Sequence, residues 1–187
     1  MMDQKKIQEL ISRSQQGDAV AFSLLVSTFQ PLVFRLAFRL LCDEDEAKDM
    51  VQETFVKVWL ALGKYNGECR FSTWIYKITC NTCYDRLRSL YHSPLDNEAD
   101  YSVSVNISSD DNVELAVVNK QLRELILRYT DELSPRQRLI FTLRDIEELD
   151  VPEVQTITGL SAGIIKTTLY LARKNIRNKM NQIDAGL

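Results

Sequence analysis

Residues 150–179 read "DVPEVQTITGLSAGIIKTTLYLARKNIRNK", and the order of signals in them decides the fold. Asp150 with Glu153 three residues on is the pattern of a capping box, and Pro152 stands in the first turn, where its missing N–H is tolerated. Gly159 ends a short helix of about Val151–Thr158, and Ser161 can cap the next. Short helix, "TGLS" turn and longer helix have the spacing of a helix-turn-helix. In that arrangement the second helix sets its N-terminal polar residues against base edges and its flanking cations against phosphates. Ser161, Ala162 and Gly163 are small enough for the backbone to approach DNA closely. Lys166, Thr167 and Tyr170 follow on the same side, with Arg173 and Lys174 beyond them, while Ile164, Ile165 and Leu169 are expected to hold the helix on its domain. Up to Lys179 this helix carries cations and no anion, although the chain as a whole has a formal net charge of -3. A solvated helix end, where positive charge suits the dipole, accounts for the cations equally well.

Upstream, charge divides the chain into three parts. Residues 1–92 hold 12 basic and 11 acidic side chains, and residues 118–187 hold 11 and 9. Residues 93–117, "SPLDNEADYSVSVNISSDDNVELAV", hold none and 6. Rich in Ser, Asn and Asp, that stretch is expected to be an acidic, flexible linker between two small domains. The flanks show only helical periodicity. In "AFSLLVSTFQPLVFRLAFRLL" the apolar residues Phe22, Leu25, Val26, Phe29, Val33, Leu36 and Leu40 recur at three- and four-residue steps. Pro31 either starts a second helix there or kinks a single long one. "DEDEAKDMVQETFVKVWLAL" puts Val51, Phe55, Val58 and Leu62 on one face and acids in the first turn. Ser72 is expected to cap the helix of "TWIYKITCNTCYDRLRSLY". After the linker, Val118, Leu122, Leu125 and Tyr129 form another stripe, and Ser134-Pro135 marks a helix start. The expected class is all-α: domains 1–92 and 118–187, joined by residues 93–117.

Several function classes are disfavoured. The start "MMDQKKIQEL" has no apolar run of a signal peptide, and no window is expected to approach the roughly 20 apolar residues of a membrane span. A cytoplasmic protein without direct membrane insertion is therefore expected. Cys42, Cys69, Cys80 and Cys83 show no disulfide framework. Cys80 and Cys83 form a single C-x-x-C in mid-helix, and with His92 as the only histidine no metal site and no cofactor are expected. No glycine-rich phosphate loop or catalytic constellation is present, so an enzyme is not expected.

Two polar faces remain in the first domain. Asp49, Gln52 and Glu53 lie at i, i+3 and i+4, opposite the apolar stripe; most such faces are simply solvated. Lys77, Asn81, Tyr84 and Arg88 form one stripe on the next helix, residue types suited to phosphates, base edges and stacking. The loop "NGECRF" before it, with Asn66, Arg70 and Phe71, could wrap a base drawn out of a duplex.

The segments "GDAVAFSLLVSTFQPLVFRLAFRLL", "EAKDMVQETFVKVW", "FSTWIYKITCNTCYDRLR" and "LSPRQRLIFTLRDIEELDVPEV" resemble the extracytoplasmic-function sigma factors, two-domain initiation subunits of bacterial RNA polymerase. The resemblance covers roughly residues 15–90 and 115–178, in the family's order and spacing. It implies that Asp49, Gln52 and Glu53 contact core RNA polymerase. It implies that Asn66, Arg70, Phe71, Lys77, Asn81, Tyr84 and Arg88 melt and read the -10 promoter element. The helix-turn-helix would read the -35 element through Ser161, Ala162, Gly163, Lys166, Thr167, Tyr170, Arg173 and Lys174, with Arg136 and Arg138 as phosphate partners. The linker would run along the RNA-exit path. An anti-sigma factor is an implied partner beside polymerase and promoter DNA, and no stable homo-oligomer is expected.

The chain departs from the family pattern at Gln155, where a small residue is usual, and at Thr168 and Leu171, where arginines are frequent. Two lost phosphate contacts would lower the magnitude of the salt slope by about two. A sigma-like decoy that sequesters an anti-sigma factor is the alternative this thinning motivates. The kept "DMVQETF" and "RFSTW" segments weigh against it. A plain helix-turn-helix repressor would leave the first domain unexplained.

Overall fold

The computed structural model describes residues 3–90, 129–130 and 133–185. The linker, His92 and the stripe Val118, Leu122 and Leu125 lie outside the described residues. Among the described residues no strand occurs.

Three successive helices each begin on an aspartate. Asp3 caps α1 (Gln4–Gln15), Asp18 caps α2 (Ala19–Leu41) and Asp43 caps α3 (Glu44–Ala61). Each carboxylate accepts from backbone N–H groups that the first turn leaves unpaired; Asp18 takes those of Val20 and Ala21 at 2.9 and 3.0 Å. Between α2 and α3 the chain turns at Cys42, a non-glycine residue in the left-handed region at φ 55°. Its N–H still reaches back to the Phe38 carbonyl at 2.8 Å. A short 3-10 turn (Leu62–Lys64) and the loop 65–70 lead into α4 (Phe71–Leu90).

Pro31 neither starts a helix nor ends one: α2 runs through it as a single helix. An interior proline costs a helix about 3 kcal/mol. Burial on both sides of it, at Leu25 and Phe29 before and at Val33 and Leu36 after, offsets that loss. The same helix corrects a sequence expectation. By length and composition, Ala19–Leu41 is apolar enough to cross a membrane, with a mean hydropathy of 1.5 over its best window. Its apolar residues instead pack on α1, α3 and α4.

Among the described residues of the second domain, α5 (Pro135–Phe141) opens on a reciprocal capping box formed by Ser134 and Gln137. One turn of π-helix (Thr142–Ile146) follows. Then come α6 (Val151–Thr158), capped by Asp150 and Glu153 and closed by Gly159 at φ 72°, and α7 (Ala162–Ala185). At the last turn the C-cap must adopt a left-handed conformation, which glycine reaches without a Cβ clash.

Among the described residues, two buried clusters form the core. The first is drawn wholly from α1–α4 and the loop between α3 and α4, and includes Ile11, Leu25, Val33, Phe55, Phe71 and Ile75. The second joins the C-terminal half of α2 (Leu36, Leu40) and the middle of α4 (Tyr76, Cys80) to the second domain (Ile140, Leu143, Val154, Ile157, Ile165). The two domains thus pack directly on one another, with α4 against α6 and the end of α2 against α5.

Candidate nucleic-acid and protein interfaces

On α3 the periodicity places Asp49, Gln52 and Glu53 on the surface while Met50, Val51, Thr54 and Phe55 turn inward. Glu53 pairs with Lys57 one turn on, at 2.8 Å. Val56 and Leu60, 58% and 75% exposed, continue the same face at i+7 and i+11 from Asp49. The sequence reading passed over them. The sign was there in apolar residues on the polar side of an amphipathic helix. Behind this face α3 is tied to α4 by a bidentate pair, Arg86 donating to both oxygens of Glu46 at 2.6 and 2.7 Å. The guanidinium holds the Glu46 carboxyl below its usual pKa, and the carboxylate raises that of Arg86.

The loop before α4 exposes Asn66 and Arg70. The Asn66 carboxamide accepts from the Glu68 N–H at 3.2 Å, and Gly67 takes φ 79°. Phe71 does not belong to this surface. It is 2% exposed, with its ring 5.3 Å from Phe29, 5.2 Å from Tyr65 and 5.6 Å from Trp74. As the first residue of α4 it anchors the helix in the core, so it cannot stack on a base. The helix accordingly starts one residue before Ser72, which was expected to cap it. Along α4, Lys77 and Asn81 are exposed, and Arg88 continues the helix. Tyr84 is partly covered by the second domain, its hydroxyl donating to the Pro135 carbonyl at 3.0 Å. Burial pushes that phenol's pKa well up. Cys80 and Cys83 lie inside the core, where burial raises the Cys83 thiol to about 12. Such thiols are poor ligands and poor nucleophiles.

In the helix-turn-helix, Ser161 accepts from the Ile164 N–H at 3.4 Å and starts α7. Ser161, Gly163, Lys166, Thr167, Tyr170, Arg173 and Lys174 are exposed, with Ala162 half-buried beside them. The inward stripe is Ile165, Leu169 and Ala172, and Ile164, expected in it, is 45% exposed. A helix turns about 100° per residue, and the narrow stripe defined by Ile165, Leu169 and Ala172 leaves Ile164 at its edge. Arg173 is already paired, donating to Asp145 at 2.6 and 2.8 Å. Arg136 is exposed, whereas Arg138 is 6% exposed. The Arg138 guanidinium donates to the Thr130 carbonyl at 3.1 Å, and to the Leu40 carbonyl and the Cys42 Sγ at 3.5 Å. Two residues along α5, it faces the first domain rather than a phosphate.

These surfaces define a class: a helical two-domain protein whose second domain presents a helix-turn-helix and whose first presents an acidic–amide helix face. Residues 25–92 match the family model for sigma-70 region 2, and residues 123–176 match that for sigma-70 region 4. The chain is 31% identical over 189 residues to the ECF RNA polymerase sigma-E factor of Escherichia coli strain K12, covering 98% of each chain. It is 29% identical over 182 residues to the RNA polymerase sigma-H factor of Pseudomonas aeruginosa, covering 94% of each. Its fold resembles CnrH in complex with the cytosolic domain of CnrY, with a TM-score of 0.71 at 19% identity over 95% of this chain and 98% of the other. It also resembles the sigma factor RpoE in complex with the anti-sigma factor NepR from Bartonella quintana, with a TM-score of 0.59 at 20% identity over 86% and 96%. The chain belongs to the extracytoplasmic-function sigma factors of the sigma-70 family. It is a promoter-directing transcription initiation factor and not an enzyme.

Proposed function

We propose that the first domain carries the contact with core RNA polymerase through Asp49, Gln52 and Glu53, and that the two domains divide promoter recognition between them. The observation that carries this reading is the exposed acid–amide–acid triplet on α3, set apart from the exposed polar and basic face of α7. Carboxylates facing a basic partner steer it and set its orientation, and the exposed Val56 and Leu60 offer apolar area beside them.

Asn66, Arg70, Lys77 and Asn81 are the first-domain residues placed to meet a parted -10 element. Arg88 belongs to the same stripe of α4, and Tyr84 joins once the second domain moves away. On α7, Ser161, Ala162, Gly163, Lys166, Thr167 and Tyr170 read the -35 element, with Arg136, Arg173 and Lys174 on phosphates. Exposed Leu171 stands on the same helix and leaves fewer cations to bind phosphate. The chain acts in the cytoplasm, as a monomer bound to polymerase, and an anti-sigma factor is its regulatory partner.

Run-off transcription with core polymerase and a pool of promoter fragments tests this. Specific transcripts are expected from the wild type, and their aligned start sites yield the promoter. Lys166→Ala with Thr167→Ala is expected to abolish discrimination at the -35 element and leave the -10 preference in place. A wild-type protein that binds core but yields no specific transcript would contradict the reading and favour a decoy.

A further inference from the structure

The contact between the domains is built around one side chain. The turn of π-helix inserts an extra residue before α6, so that the Glu147 N–H bonds back to the Thr142 carbonyl at 2.9 Å and the Leu149 N–H to Leu143 at 3.0 Å. Glu148 then takes φ 55°. A π-turn followed by a left-handed non-glycine residue is an uncommon backbone, and such turns are frequent at functional sites. Here it thrusts Glu147 across the boundary into the first domain. Its carboxylate accepts from the Arg39 guanidinium on α2 and from the Tyr76 hydroxyl on α4. The carboxylate is 11% exposed and the guanidinium 19%. Burial lifts the Tyr76 phenol to about 12, so it stays a donor. Burial and the neighbouring Arg35 both weigh against the charge on Arg39, and Glu147 is the carboxylate in direct contact with it.

The same closure occupies Tyr84, which a parted -10 element would need, and buries a cation. Tyr84 is bonded to Pro135, and Arg138 is sealed against Leu40, Cys42 and Thr130. Among the described residues, the Arg138 Nε finds no hydrogen-bond partner. A buried guanidinium left partly unsatisfied marks a compromise rather than an optimised core. Distance points the same way. Elements named for positions -35 and -10 are separated by about 25 base pairs, or about 85 Å at 3.4 Å per step. Packed helices such as α4 and α6 lie about 8–10 Å apart.

We propose that Glu147 is the pin of an intramolecular latch: it holds the free chain closed through Arg39 and Tyr76, and it is released when the chain engages polymerase and promoter. The latch is a property of the free chain, and only its release rests on the promoter-factor reading above. Breaking one partner of a buried ion pair is far more disruptive than replacing both. Glu147→Arg therefore sets two cations against each other and shifts the closed-to-open ratio by about 100-fold or more.

The test is single-molecule energy transfer within the full chain, with fluorophores at the exposed positions Lys64 and Asn178. Wild type is expected to show one high-transfer population, Glu147→Arg a dominant low-transfer one, and Arg39→Glu with Glu147→Arg a return to high transfer. Added core polymerase is expected to move wild type to low transfer. Circular dichroism on each variant ensures that helix content is retained. The latch is overturned if wild type and Glu147→Arg give the same distribution, or if the exchanged pair stays as open as Glu147→Arg. A closed wild type that opens with Glu147→Arg yet ignores polymerase would keep the latch and sink the polymerase reading instead.

Discussion

The first domain closes its core from its own helices, whereas the second completes part of its core on its neighbour. Ile11, Val33, Phe55 and Phe71 meet within α1–α4 and need nothing from beyond the linker. Ile140, Leu143, Val154 and Ile157 belong to a cluster that also contains Leu36, Leu40 and Tyr76. A small domain buries a lower fraction of its surface and is correspondingly marginal. The difference separates the roles. A self-sufficient domain can present a rigid protein-binding face on α3. A domain that leans on its neighbour can detach, at the cost of uncovering apolar surface that polymerase, DNA or a regulator must cover.

This contrast can be broken in a defined order, because both tryptophans, Trp59 and Trp74, lie in the first domain. Tryptophan fluorescence reports that domain alone, and far-ultraviolet circular dichroism reports both. The largest effect is expected from Phe71→Ala, which removes a 2% exposed ring and costs about 3–5 kcal/mol. It should lower the denaturant midpoint seen by fluorescence. Ile157→Ala, also 2% exposed, should cost about 2–5 kcal/mol and appear chiefly in the dichroism transition. If Ile157→Ala shifts fluorescence as much as dichroism, the domains unfold as one unit and the contrast fails. Asp150→Ala removes the α6 capping box, whose carboxylate accepts from Glu153 at 2.8 Å, and should cost about 1 kcal/mol, again in the dichroism transition.

The smallest effect is one of pH. Bonded to Arg86, Glu46 has a folded pKa below its unfolded value, so its contribution is present above about pH 4.5 and is lost as pH falls through the folded value. Because Arg86 is partly exposed, solvent screens the pair and the gain is at most about 1 kcal/mol. Glu46→Gln should lower the fluorescence midpoint slightly at pH 7. The gap should close in acid, and a gap that widens there would contradict the assignment.

The helical parts of this architecture were legible because their signals are local. The Ser134-Pro135 start, the Asp150–Glu153 box, the Gly159 stop and the span Val151–Thr158 each depend on residues within one turn of one another. The positions of Phe71, Tyr84 and Arg138 were not legible. Helical spacing says which face a residue shares, and it does not say which face another domain will cover. Arg138 reads as a surface cation by composition and is buried between Thr130 and the end of α2 at Leu40 and Cys42. Glu147 was missed for a related reason: a π-turn has no sequence signature comparable to a cap, and its partners Arg39 and Tyr76 lie 108 and 71 residues away.

The division of labour between the two domains is tested most directly by the affinity for core RNA polymerase, measured side by side for two variants. Asp49→Ala with Gln52→Ala and Glu53→Ala should weaken binding by about 10- to 100-fold, the range for a few central interface side chains. Lys166→Ala with Thr167→Ala should leave it unchanged. Equal losses in both, or no loss in the first, would contradict the account.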